Sequence, residues 1–218
     1  MTDVSCARIN AEPVADRRLF LLDAVERLLV LGLYALLVAR MPISVVTSGN
    51  LGDLLLLVGE GLVVFFFLIR HRTTEISRSP SDWFLAAAAT WVPLLVVPGG
   101  KNHAWMPTAA LMIMLVGLLV QFCAKLTLAR SFGMVPANRG LKTSGPYRFV
   151  RHPMYGGYLL MQLGFLALNP TLWNAAAYAV CWTMQFRRLF AEERFLCRDP
   201  AYREYQSRVL YRILPGVF

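Results

Sequence analysis

Residues 144–158 read SGPYRFVRHPMYGGY, a short polar segment that stands directly before an apolar run. It contains a Gly-Pro turn, a His-Pro pair, three cations and three tyrosines. Proline is well tolerated in the first turn of a helix, so Pro153 predicts where a helix begins. Proline also favours an extended conformation in the residue before it, here His152. We therefore expect Arg151 and His152 at the N-terminal rim of a helix, where the helix dipole and unpaired amides favour an anion.

The composition around this segment is that of a membrane protein. The 218 residues are 57% hydrophobic and 16% charged, and the mean hydropathy is +0.51. Apolar windows near the length that crosses a hydrocarbon core of about 30 Å recur without strand-like alternation. The predicted fold class is therefore all-α: a polytopic membrane protein with about six transmembrane helices. The windows are 19–38, 51–69, 84–97, 107–129, 155–168 and 172–190.

Two of these windows, 84–97 and 155–168, are short, so five spans are the alternative to six. The last two windows are separated by Asn169-Pro170 and are predicted to form a helical hairpin. The chain then divides into a polar N-terminal segment (1–18), a four-helix membrane scaffold (19–130) and a C-terminal half (131–218). Because the C-terminal half holds most of the unusual polar residues, it is predicted to carry the chemistry.

The net charge of +9 is distributed in a way that indicates topology. If six spans alternate, all of the 22 Lys and Arg residues except Arg40 and Lys101 fall on one side. This asymmetry follows the positive-inside rule and predicts that both termini and the site face the cytoplasm. The positive charge favours membrane lipids as partners. No nucleic-acid recognition module is apparent, and the four cysteines have no paired spacing that would predict a disulfide or metal site.

The segment after the last window predicts how distant residues meet. Asp199-Pro200 is expected to end the last hairpin helix, and a second, amphipathic helix is expected over 201–211. Because the hairpin is short, its two cytoplasmic ends should be neighbours. This places the residues at the start of the fifth helix, Arg151, His152 and Tyr155, close to the acidic pair Glu192-Glu193.

Several of these features together resemble a known family. They are GPYRFVRHPMYGGY at 145–158, a helical hairpin, the pair Glu192-Glu193, YREY at 202–205 and RILPG at 212–216. Over residues 120–218 they are similar to the C-terminal half of isoprenylcysteine carboxyl methyltransferase-type membrane proteins and of phospholipid methyltransferases. The first hundred residues carry no such resemblance.

The resemblance implies an enzyme that binds S-adenosylmethionine in a cytoplasm-facing pocket and methylates a lipid-like or small apolar acceptor, with carboxylate O-methylation of isoprenylcysteine the most similar reaction. It implies catalytic roles for Arg151, His152 and Glu193. It also implies the following cofactor-binding residues: Tyr147, Arg151, His152, Pro153, Tyr155, Gly156, Glu192, Glu193, Tyr202, Tyr205 and Arg208.

The residue types suit this cofactor. Arg151, His152 and a helix N-terminus can bind a carboxylate, and a glutamate can accept from an ammonium or ribose hydroxyls. Tyrosine faces can lie against a sulfonium. A carboxylate or thiolate acceptor needs no base, whereas an amine acceptor would need Glu193 or His152 to take its proton.

Two other classes of protein remain open. One is a membrane sterol-type reductase that uses NADPH; such proteins have a related hairpin with a His-Pro-Asn-Tyr-like entry, in which Met154 here replaces the asparagine. The other is a small transporter or noncatalytic scaffold, for which Glu60 in the middle of the second window is the supporting feature. Glu60 could serve a proton relay or hydrogen-bond to another helix approaching its flanking glycines. The identity of the acceptor and the oligomeric state are open.

Overall fold

A computed structural model describes residues 17–40, 51–69, 79–97, 107–131 and 140–218. Most of the polar N-terminal segment and the part of the predicted loop at 132–139 lie outside these residues. Within the described ranges the chain forms seven α-helices and no strand, which confirms the all-α prediction. The helices are α1 (Arg17–Arg40), α2 (Leu51–Ile69), α3 (Pro80–Trp91), α4 (Pro107–Leu128), α5 (Pro153–Leu168), α6 (Leu172–Leu196) and α7 (Pro200–Arg208).

Among the described helices, α4 and α5 pack most extensively on each other, and small residues explain how near they come. A Cβ atom added to Gly157 would lie 2.7 Å from the carbonyl oxygen of Gly117 and 2.5 Å from the Cγ atom of Gln121. At Gly164 an added Cβ would lie 2.7 Å from the carbonyl oxygen of Ala110. In lipid, the hydrophobic effect does not drive helices together, so their association depends on van der Waals packing. Small residues at the interface allow this close packing of the backbones.

The hairpin predicted at Asn169-Pro170 connects α5 to α6. The side chain of Thr171 caps α6 by accepting a hydrogen bond from the Asn174 backbone N–H at 3.1 Å. Along their length the two helices meet through large side chains: the Phe165 and Tyr178 rings lie 6.3 Å apart, edge to face. Helix α5 packs chiefly on α4, while α6 packs chiefly on α3. A small polar cavity remains among α2, α3, α5 and α6.

By length and hydropathy, α4 is the helix of the described residues that could cross a membrane. The count of six spans therefore remains a prediction. The helix bounds correct the third predicted window, which began at residue 84. Helix α3 begins at Pro80, where proline suits the first turn, and it gives way at Val92–Leu95 to a 3-10 turn.

The amphipathic helix after Asp199-Pro200 is shorter than predicted. Asp199 caps α7 by accepting from the Ala201 N–H at 2.9 Å. The helix ends at Arg208 rather than at residue 211, because the following segment bonds elsewhere. The Arg151 N–H donates to the Tyr211 carbonyl at 2.9 Å, and the His152 N–H donates to the Arg212 carbonyl at 2.7 Å.

Candidate functional site

The carboxylate of Glu193, near the end of α6, is the centre of a buried polar cluster. Its Oε1 atom lies 2.8 Å from the Arg151 Nε and 3.2 Å from the His152 Nε2. Its Oε2 atom accepts from the Arg212 Nε at 3.0 Å. We call these four residues the rim cluster. Arg151, His152 and Glu193 are each buried, so the sequence-predicted neighbourhood of the two hairpin ends is confirmed.

Local chain geometry places Arg151 and His152, the two residues of the rim cluster that precede α5. His152 is the N-cap of α5 in a non-helical conformation, and Pro153 follows in the first turn. The segment after α7 lies alongside and bonds to the backbone of Arg151 and His152, as described above. The Arg151 Nη1 atom also donates to the Val209 carbonyl at 3.2 Å. The rim of α5 is therefore held from both sides by the C-terminal tail and α6.

A second set of contacts extends from the rim cluster along the hairpin. The Tyr155 hydroxyl donates to the Glu192 Oε2 at 3.2 Å. The ring of Tyr155 lies edge to face with the His152 ring, at 5.5 Å between centroids. On its other side the guanidinium of Arg188 lies 5.7 Å from the Tyr155 ring centroid. Tyr155 thus links the rim cluster to residues deeper along α6.

Three further tyrosines line the same end of the molecule and are all buried. The Tyr205 hydroxyl donates to the Tyr147 carbonyl at 2.7 Å, which ties α7 to the turn before α5. Tyr202 packs on Tyr205 with ring centroids 5.8 Å apart. The Tyr202 hydroxyl is buried without a hydrogen-bond partner. Burial raises the pKa of the Tyr205 phenol to about 12, so this hydroxyl is a donor at neutral pH.

The electrostatics of Glu193 follow from its contacts. Burial by itself would raise the pKa of this carboxyl. The hydrogen bond and charge of His152, the hydrogen bond of Arg212 and the charge of Arg151 outweigh burial and lower the pKa to about 2. Glu193 is therefore an anion at neutral pH and is not a proton store.

The structure brings together most of the residues that the sequence singled out. Pro153 and Gly156 are buried beside the rim cluster, and a Cβ added to Gly156 would lie 3.1 Å from the Ile213 carbonyl oxygen. Arg208 lies apart: its side chain is 65% exposed and contacts the exposed Glu204 at 3.7 Å. Its predicted cofactor role remains a prediction. Arg212 also belongs to the rim cluster, although the sequence analysis did not name it as a site residue. The one sequence signal that could have identified it is its position in the RILPG motif at 212–216.

The donor set has the properties of a binding site for a ligand with both acidic and basic groups. Two guanidinium groups, from Arg151 and Arg212, share the single carboxylate of Glu193. The Arg151 Nε, although close to Glu193, is not aimed well enough for a hydrogen bond. The Tyr202 hydroxyl is a second buried group with unused hydrogen-bonding capacity, which in native structures calls for an explanation such as a ligand.

The sequence that contains most of this cluster is similar to those of known proteins. Residues 105–202 match the model of the phospholipid methyltransferase family. The chain is therefore similar to phospholipid methyltransferases and to isoprenylcysteine O-methyltransferases, which confirms the predicted resemblance.

Among its relatives is protein-S-isoprenylcysteine O-methyltransferase A of Arabidopsis thaliana, 35% identical over 111 residues, which are 47% of this chain and 55% of that protein. Protein-S-isoprenylcysteine O-methyltransferase of Tribolium castaneum is 28% identical over 197 residues, 83% of this chain and 69% of that protein. Protein-S-isoprenylcysteine O-methyltransferase B of Arabidopsis thaliana is 31% identical over 126 residues, which are 53% of this chain and 63% of that protein. The chain therefore spans 55 to 69% of the length of these curated relatives.

Proposed function

We propose that this protein is an integral membrane methyltransferase that uses S-adenosylmethionine and acts on a lipid-like or small apolar acceptor. The observation that carries the proposal is the convergence of Arg151, His152 and Glu193, from segments distant along the chain, into one buried cluster. The names of the relatives support the reaction class.

The residues of the site fit the proposed cofactor. S-adenosylmethionine supplies an electrophilic methyl group on a sulfonium, and it carries a carboxylate, an ammonium and ribose hydroxyls. The excess of guanidinium over carboxylate in the rim cluster suits the carboxylate. Glu192, which accepts from Tyr155, suits the ammonium or a ribose hydroxyl. The faces of Tyr155, Tyr202 and Tyr205 suit the sulfonium and the adenine.

The protein's contribution to methyl transfer is proposed to be positioning. Holding donor and acceptor in line can lower a barrier by about 7 to 11 kcal/mol when the geometry is right. Because Glu193 is ionised and paired, its proposed role is to fix Arg151, His152 and Arg212 rather than to take a proton. A carboxylate acceptor requires no base, which agrees with the O-methyltransferase names of the relatives. We therefore favour an isoprenylcysteine-type carboxylate among the possible acceptors.

The proposal includes a topology: both termini and the rim cluster face the cytoplasm, and the acceptor approaches from the bilayer. The lysines and arginines of the loops and tail support this orientation. Tyr147, Pro153 and Gly156 are proposed to shape the cofactor pocket, and Arg208 to contact the cofactor from the exposed face of α7.

Thermal unfolding of the purified protein in detergent tests the cofactor assignment. S-adenosylhomocysteine should raise the unfolding temperature in a saturable manner, because a ligand that binds the folded state stabilises it, and NADPH should not. The variants His152→Ala and Glu193→Ala should lose most of this ligand-dependent rise. Glu204→Ala is the matched control, since its carboxylate is 73% exposed and outside the cluster. If both variants keep the full rise in unfolding temperature, His152 and Glu193 do not contribute to cofactor binding. Stabilisation by NADPH instead of S-adenosylhomocysteine would favour a reductase.

A further inference from the structure

Arg212 is the most exposed member of the rim cluster, and two aromatic rings lie against its guanidinium. Its side chain is 31% exposed, whereas the side chain of its partner Glu193 is 7% exposed. The centre of the guanidinium lies 5.6 Å from the Phe190 ring centroid and 5.1 Å from the Phe218 ring centroid. Both distances are in the range of a cation–π interaction. We call Phe190 and Phe218 the aromatic clamp.

The first ring of the aromatic clamp comes from the same helix as Glu193. Phe190 precedes Glu193 by three residues in α6, a spacing that places both side chains on one face of the helix. Arg212 can therefore contact the ring and the carboxylate together, with its Nε atom 3.0 Å from the Glu193 Oε2. Phe190 is one of the exposed apolar side chains, so a substitution there leaves the core intact.

The second ring is brought to Arg212 by a tight turn of the tail. The main-chain oxygen of Phe218 accepts hydrogen bonds of 2.7 to 3.1 Å from the N–H groups of Arg212, Ile213 and Leu214. The Phe218 N–H donates to the Leu214 carbonyl at 3.1 Å. Gly216 permits the reversal, because its φ of +79° lies in the left-handed region that other residues rarely adopt. Backbone bonds therefore hold residue 218 beside Arg212.

The two rings of the aromatic clamp also pack on each other. Phe218 lies edge to face with Phe190, at 6.4 Å between centroids, and with Phe186, at 5.9 Å. Edge-to-face contact is a favoured arrangement of aromatic pairs. Within the described part of the chain, no cation–π contact joins Phe186 to Arg212. Phe186 therefore belongs to the same aromatic group without being part of the clamp.

The aromatic clamp restricts where the guanidinium of Arg212 can lie. An unrestrained arginine side chain populates many rotamers, and ordering it costs entropy when a ligand binds. Held over two rings, the guanidinium donates from Nε to Glu193. Its two Nη groups have no hydrogen bond to other described residues. A guanidinium with free Nη groups can bind a carboxylate or another anion.

We propose that Phe190 and Phe218 are positioning residues, which hold the Arg212 guanidinium on Glu193 and present its Nη groups to an anionic group of a ligand. In the site proposed above, that group is the carboxylate of the cofactor, and this part rests on the proposed function. The clamp itself does not, because Arg212 contacts the two rings and Glu193 without a ligand.

A set of substitutions on the full chain in detergent tests the clamp, with the Kd for S-adenosylhomocysteine as the first measurement. Phe218→Leu keeps an apolar side chain and removes the aromatic face. It should raise this Kd about two- to fivefold, as expected for one partly exposed cation–π contact, and Phe190→Leu should do the same. Phe218→Tyr keeps the ring face and should bind as the parent protein does. Phe186→Leu is the matched control and should also keep the parental Kd.

A double-mutant cycle separates a clamp on the cation from simple packing. Arg212→Met should raise the Kd at least about tenfold, because charge-assisted hydrogen bonds are lost. Adding Phe218→Leu to Arg212→Met should change the Kd no further, because the cation that the ring holds is gone. Equal effects of Phe218→Leu in both backgrounds, or an equal loss in Phe186→Leu, would show packing alone and overturn the proposal. A parental Kd in both Phe218→Leu and Phe190→Leu would remove the clamp from ligand binding.

The unfolding temperature at pH 7 without ligand repeats the cycle independently of the cofactor. Phe218→Leu should lower this temperature more in the parent background than in Arg212→Met, because only the parent has the cation over the ring. If the parent protein does not bind S-adenosylhomocysteine but shows this coupling, the cofactor assignment fails and the clamp stands. Equal falls in both backgrounds would overturn the clamp itself.

Discussion

The substitution Glu193→Gln probes the rim cluster most sharply, because it keeps the size of the side chain and removes only the charge. It leaves the guanidinium groups of Arg151 and Arg212 near a neutral amide in a buried site. The lowering of the Glu193 pKa from 4.5 to about 2 corresponds to about 3 kcal/mol of stability at neutral pH. Removing one partner from a buried ion pair costs about 3 to 5 kcal/mol, and the pKa route agrees with the lower end of that range.

The assay is the unfolding temperature as a function of pH, measured on the parent protein and on Glu193→Gln. For a chain of this size, about 3 kcal/mol corresponds to a fall of roughly 6 to 12 °C at pH 7. Because the folded-state pKa lies below the unfolded value, the stabilisation is complete above pH 4.5 and is lost as pH falls toward 2. The two proteins should therefore converge in stability over that range.

The control is Glu204→Gln, which removes a carboxylate that is 73% exposed and 3.7 Å from Arg208. Exposed pairs of this kind contribute about 1 kcal/mol or less. If Glu193→Gln unfolds at the same temperature as this control at pH 7, Glu193 does not hold the cluster together. A difference that persists undiminished near pH 2 would show that the effect is steric rather than ionic.

Three further substitutions test neighbouring features. Arg212→Met removes one cation from Glu193 and should raise the folded-state pKa of Glu193. The acid unfolding transition should therefore move to higher pH. A transition at the same pH would show that Arg212 does not stabilise the ionised carboxylate. Tyr205→Phe should cost about 1 kcal/mol through loss of the bond to the Tyr147 carbonyl, read as a lower unfolding temperature, and no change would mean that this bond contributes nothing. Gly157→Leu should separate α4 from α5, because even a Cβ atom meets the Gln121 Cγ at 2.5 Å; it should lower both the unfolding temperature and the monodisperse fraction on gel filtration, and a stable monodisperse variant would refute the close packing.

Much of the fold was predictable because strong local signals mark the helix ends. The apolar run of α2 coincides with its helix, Leu51–Ile69, and Pro153 begins α5 as proline in a first turn should. Asn169-Pro170 and Asp199-Pro200 interrupt the helices where the sequence predicted. The meeting of Arg151 and His152 with Glu193 was predictable too, since it follows from the short connection between the two hairpin helices.

What the sequence could not give depends on contacts between distant segments. The helical pattern continues past Arg208, but the Arg151 and His152 N–H groups donate to carbonyls of the next segment and hold it in a non-helical conformation, as tertiary context often overrides local propensity. This path of the chain brings Arg212 to Glu193. The small polar cavity among α2, α3, α5 and α6 is equally invisible to pattern analysis, because it depends on which helices pack closely and which remain apart.

The most direct test of the central claim is transfer of a labelled methyl group from S-adenosylmethionine to a lipid extract by the purified protein. If the rim cluster binds the methyl donor, the parent protein should form a labelled, lipid-soluble product. With folded His152→Ala, product formation should fall by about tenfold or more, since positioning of the donor is lost. Absence of labelled product from the folded parent protein, or undiminished labelling by His152→Ala, would contradict the claim.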